Sequence, residues 1–107
     1  QYMEDNYQSD VFEGMILNKN QKVLILKDRK EVYITNDNEI NICRNQQGLV
    51  LGNIYYVSQY EEYCIQPLQK MTIFLASGQP LGKNRFYYLP RGTEIYIKDQ
   101  TNKFKLC

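Results

Sequence analysis

Residues 15–51 read MILNKNQKVLILKDRKEVYITNDNEINICRNQQGLVL, and this stretch decides the fold. Apolar residues recur in it as pairs one residue apart: Met15/Leu17, Val23/Ile25, Val32/Ile34, Ile40/Ile42 and Leu49/Leu51. A spacing of two puts both members on one face of an extended strand, whereas a helical stripe needs spacings of three and four. Successive pairs begin eight or nine residues apart, which is room for one short strand and one tight turn. Between them lie Asn18-Lys19-Asn20-Gln21, Lys27-Asp28-Arg29-Lys30, Asn36-Asp37-Asn38 and Arg44-Asn45-Gln46-Gln47-Gly48. Asn and Asp tolerate left-handed backbone angles and bond to their own main chain, so they end strands readily. The segment reads as an antiparallel meander.

The same alternation runs on to the C-terminus. Strands are expected at Ile54–Ser58, Tyr63–Pro67, Met71–Ala76, Arg85–Leu89, Glu94–Lys98 and Lys103–Leu106. Gly78-Gln79-Pro80-Leu81-Gly82 and Pro90-Arg91-Gly92 carry loop chemistry, and Asp99-Gln100-Thr101-Asn102 closes a last hairpin. The stretch nearest to helical spacing, Tyr55 to Tyr63, is heavy in β-formers, so at most one short helix is expected. Val23–Leu26 and Met71–Ala76 are apolar on both faces and should be central strands. Ile95/Ile97 against Tyr96, and Phe104/Leu106 against Lys105, alternate and should turn one side to solvent or a partner. About ten short strands in 107 residues suit a small antiparallel meander closing into a barrel or a two-sheet sandwich, OB-like or SH3-like. A single open sheet of that many strands would leave long, aggregation-prone edges.

One domain is expected over residues 11–107. Residues 1–10, QYMEDNYQSD, are polar and acidic and read as a flexible or docking arm, with Met3 resembling a natural start. Hydrophobic residues make up 43% and charged residues 23%, the usage of an ordinary globular chain. The bias lies elsewhere: ten Tyr, ten Asn and ten Gln, with no His and no Trp. Without His there is no Ser-His-Asp or Cys-His catalysis, no His-ligated zinc and no His-based pH switch. Cys43, Cys64 and Cys107 form no CxxC pair, and reduced cysteines are expected. With no N-x-S/T sequon, no signal-peptide core and no bilayer-length apolar run, the expected setting is intracellular, cytoplasmic or nuclear, with no membrane.

Three stretches could carry chemistry and do so poorly. Glu61 and Glu62 are adjacent, so on a strand they point to opposite faces and cannot converge as an acid–base pair. Asn36-Asp37-Asn38-Glu39 offers oxygen ligands without the spacing of a calcium loop. Gly78 to Lys83 offers Gly and Lys without the frame of a phosphate loop. No catalytic residue, metal ligand or cofactor is expected.

The aromatic residues are the stronger lead. Ile54-Tyr55-Tyr56-Val57, with Tyr60 and Tyr63, is a tyrosine block with acidic neighbours. Tyrosine gives large contact area at low entropy cost, so Tyr55, Tyr56, Tyr60 and Tyr63 are candidates for a protein interface. A second block, Lys83-Asn84-Arg85-Phe86-Tyr87-Tyr88-Leu89-Pro90-Arg91, sets aromatics among cations. The net charge of +1 hides this division: Gln1 to Gln69 carries −4 and Lys70 to Cys107 carries +5. Lys83, Arg85, Tyr87, Tyr88, Arg91, Lys98, Lys103 and Lys105 are therefore candidates for stacking and neutralising a single-stranded nucleic acid. The opposing expectation for this block is that Phe86 and Tyr88 fill the core. The primary expectation is a non-catalytic protein-interaction or assembly module whose partner is another protein or a second copy. The alternative is an OB-like nucleic-acid binder.

Overall fold

Each apolar pair falls inside a strand of the computed structural model, which describes residues 12–26, 32–37, 39–44 and 48–107. The strands are β1 (Phe12–Asn18), β2 (Gln21–Leu26), β3 (Val32–Asp37), β4 (Glu39–Cys43), β5 (Leu49–Val57), β6 (Glu62–Pro67), β7 (Ile73–Leu75), β8 (Tyr87–Pro90), β9 (Thr93–Ile97) and β10 (Asp99–Leu106). There is no helix among the described residues. Two five-stranded antiparallel sheets result, in the orders β2-β1-β10-β9-β7 and β4-β3-β5-β6-β8. Among the described residues no strand pairing closes them into a barrel. The expected arm and the Lys27–Lys30 turn lie outside the described residues.

One buried cluster draws on both sheets, with Ile16, Ile25, Ile95 and Leu106 from the first and Val32, Ile34, Ile54 and Ile65 from the second. Burying an Ile side chain is worth about 1.5–3 kcal/mol. In β6 alternation turns Tyr63, Ile65 and Pro67 to the core, although Cys64 between them is buried as well. In β1 the expected pair is turned outward: Ile16 is buried while Met15 and Leu17 are half-buried. Three successive apolar residues left the face of β1 undecided, and packing chose the middle one.

Tyr63 crosses the core. It is fully buried on the second sheet, and its hydroxyl accepts from the Met15 N–H at 2.8 Å and donates to the Met15 carbonyl at 3.1 Å. The β1–β2 register slips between Phe12 and Gly14 at this point. A Cβ on Gly14 would sit 2.5 Å from the phenol oxygen, so only glycine leaves room for it.

Several expectations need correcting. Val23–Leu26 and Met71–Ala76 are not central: β2 and β7 are edge strands, and the second shrinks to Ile73–Leu75. Both edges are covered. The Gln21 side-chain amide donates to the Ile42 carbonyl at 2.9 Å and accepts from its N–H at 3.4 Å, and the Arg44 guanidinium donates to the Leu24 carbonyl. On β7, the Leu75 N–H donates to the Gln79 carbonyl and the Leu81 N–H to the Ile73 carbonyl, both at 2.9 Å. An edge shielded in this way can be apolar without inviting another chain. Leu49/Leu51 and the strand expected at Ile54–Ser58 merge into one strand, β5, which ends at Val57. The hairpin at Asp99–Asn102 is a register slip at the start of β10, held by the Asp99 carboxylate accepting from the Thr101 N–H at 3.0 Å.

Candidate interaction face

Pairing of β5, β6 and β8 decides which aromatics meet. Across the outer face of the second sheet, Tyr55 stands beside Cys64 and Cys64 beside Tyr88. The neighbouring outer rungs are Val57, Glu62 and Pro90 on one side, and Tyr33, Asn53 and Gln66 on the other. Of these nine residues only Glu62 is charged. The turn from β5 to β6 sets Tyr60 edge-on to Tyr88, ring centroids 6.3 Å apart and planes at 80°. Tyr60, Phe86 and Tyr88 are 59%, 58% and 54% exposed. Phe86 and Tyr88, together with Tyr55, Cys64 and Gln59, line an open groove of about 530 Å³.

The floor of that groove is small and its walls are large. Cys64 points away from the core yet is only 5% exposed, flanked by two tyrosines. Burial pushes the Cys64 thiol up from its ordinary range, and a hydrogen bond from the Tyr88 hydroxyl partly offsets this. The Tyr88 hydroxyl is itself raised, chiefly because a charge on Cys64 would lie beside it. No disulfide joins Cys43, Cys64 or Cys107.

The two aromatic blocks read from the sequence are thus one surface, and each splits between outside and inside. Tyr55 and Tyr60 belong to the face, whereas Tyr56 and Tyr63 are buried and stack edge-on at 5.0 Å. Tyr88 belongs to the face, whereas Tyr87 turns inward and its hydroxyl accepts from the Gly82 N–H at 2.6 Å. Phe86 and Tyr88 do not fill the core, against one of the two expectations for that block. The strand begins at Tyr87, not Arg85, and its inward residues are Tyr87 and Leu89. Tyr87/Leu89 alternation was the signal in the sequence that marks Phe86 as outward.

The candidate cations do not gather beside these aromatics. Lys83 and Arg85 are exposed in the segment before β8. Arg91 lies 5.3 Å over the Tyr56 ring and its Nε donates to the Cys107 carbonyl at 3.0 Å. Lys98 sits in the β9–β10 turn with φ 71°. Lys103 and Lys105 belong to the first sheet, where Lys103 pairs across to Tyr96 and its Nζ lies 3.8 Å from Glu94. The two sheets therefore present different outer faces. The first carries Lys22, Lys103, Lys105 and Glu94, and the second is nearly neutral and rich in tyrosine. Glu61 lies in the β5–β6 turn and Glu62 opens β6.

No protein-family model matches the chain, and no curated protein matches it either. Among the described residues no helix is long and apolar enough to cross a membrane.

Proposed function

We propose that the chain is a non-catalytic β-domain that serves as a protein-interaction or assembly module in an intracellular complex, docking through the outer face of the second sheet. The observation that carries this reading is the cluster of Tyr60, Phe86 and Tyr88, each more than half exposed, on a face whose three central rungs hold one charge. Exposed aromatics grouped on one face are enriched at protein interfaces, and a nearly neutral surface suits desolvation against a protein rather than a polyphosphate. An SH3-like or OB-like small barrel is our finer reading of the two sheets, supported by the Gln21 and Arg44 bonds that tie β2 to the strand β4 region.

Single-stranded nucleic acid is the alternative, and its support is Lys103 and Lys105 near Tyr96. It is the weaker reading because those cations lie on the other sheet from Phe86 and Tyr88. A photo-crosslinking amino acid at Phe86 separates the two. Irradiated cells should yield a discrete protein adduct that is absent when the probe replaces Lys105. Adducts with nucleic acid, or equal adducts from both sites, would overturn the proposal.

A further inference from the structure

Resting on that reading, we infer that the groove between Tyr55 and Tyr88 takes an extended, proline-rich peptide with a basic residue at one end. Tyr55 and Tyr88 lie on strands two apart, with Cys64 between them. At roughly 4.8 Å per strand spacing their backbones stand about 10 Å apart. A small side chain between two large ones makes a slot one chain wide, walled by aromatic rings. Its open mouth suits a chain that passes through rather than a small molecule enclosed on all sides.

The length and polar groups fit the same occupant. From the Glu62 rung to the Gln66 rung is four residues of strand, or about 13 Å. At about 3.1 Å per residue, four residues of polyproline II helix cover it. That helix makes no internal hydrogen bonds, so its carbonyls need donors from the partner. The amide of Gln59 borders the slot, and the amide of Gln66 stands on the next outer rung. Being ordered before it binds, such a peptide loses little entropy on an open surface.

Charge gives the peptide a direction. Glu61 and Glu62 stand where β5 turns into β6, while Lys83 and Arg85 precede β8 at the other end. A basic residue is therefore favoured at the Glu61/Glu62 end and an acidic one at the Arg85 end. Arg91 does not compete with the basic residue, because its guanidinium is held between Tyr56 and the Cys107 carbonyl.

The test titrates capped octaproline carrying one terminal Arg into the isotope-labelled protein and follows backbone amide shifts. Shifts should map to residues 55–64 and 86–90, and the Glu-ended peptide should bind several-fold more weakly. Phe86→Ala and Tyr88→Ala, both at exposed positions, should each weaken binding about ten-fold. Glu61→Lys with Glu62→Lys should abolish the preference for Arg over Glu. No shifts at millimolar peptide, shifts elsewhere, or displacement of the peptide by an oligonucleotide at the same amides would overturn the inference. If the peptide fails while the Phe86 crosslink still yields its protein adduct, the docking face stands and this occupant is wrong.

Discussion

Replacing Tyr63 by Phe removes one oxygen, yet that oxygen is the acceptor for the Met15 N–H across the core, while the Met15 carbonyl keeps the Cys107 N–H at 2.7 Å. Leaving a buried backbone N–H without a partner costs about 1–3 kcal/mol. Tyr63→Phe should therefore lower the urea midpoint with the slope unchanged. Gly14→Ala should destabilise by a similar or larger amount, since its methyl would meet the phenol at 2.5 Å. The same oxygen sets a pH dependence. Burial raises the Tyr63 hydroxyl above its ordinary value of 10.0, so the folded state holds a proton that the unfolded chain releases. Its contribution is intact below pH 10 and is lost as pH rises through the raised value. Cys64, raised from 9.0, acts in the same sense from pH 9 upward. Thermal melts between pH 8 and 11 should fall, and Tyr63→Phe and Cys64→Ala should each flatten the fall. Tyr63 was legible as an inward residue, because Tyr63, Ile65 and Pro67 alternate with Glu62, Cys64 and Gln66. Its polar neighbours and the count of tyrosines drew it into the interface instead. The partner of its hydroxyl was not legible, since Met15 lies 48 residues away.

At the scale of elements, the strands were legible and their neighbours were not. Apolar spacing of two, punctuated by Asn, Asp and Gly, located every strand between β1 and β4 because both signals are local. An apolar strand such as Val23–Leu26 reads as central only if nothing else can cover it. Here Gln21 and Arg44 provide cover from positions about 20 residues apart in sequence from their partners. Gln21→Ala should leave the Ile42 backbone exposed at an edge. Its expected effect is a modest loss of stability, about 1 kcal/mol, and faster aggregation on mild heating, read by light scattering. Leu81 covers the opposite side: it is 2% exposed, although it comes from a loop of Gly, Gln and Pro. Leu81→Ala should cost about 2–5 kcal/mol, as much as a substitution inside a strand, measurable by chemical denaturation. A solvated loop residue would show almost no effect.

At the scale of the molecule, the division of charge into −4 and +5 along the chain does not survive as two surfaces. The first sheet combines β1 and β2 from the acidic part with β7, β9 and β10 from the basic part, and the second combines β3 to β6 with β8. Folding thereby separates a lysine-bearing face from a tyrosine-bearing one, and the two make different demands on salt. Were Lys22, Lys98, Lys103 and Lys105 to neutralise four phosphates of a single strand, a slope of about −0.7 per phosphate would apply. Affinity would then fall roughly fifty-fold between about 50 and 200 mM salt. Docking through Tyr55, Tyr60, Phe86 and Tyr88 displaces water rather than counterions. Its affinity should change less than about three-fold over the same range. Lys103→Glu with Lys105→Glu should leave it unaltered, and Tyr60→Asp with Tyr88→Asp should abolish it without lowering the melting temperature, because both rings are already more than half exposed. A steep salt slope that vanishes with the lysines would assign the function to the first sheet and leave the tyrosine face without a partner.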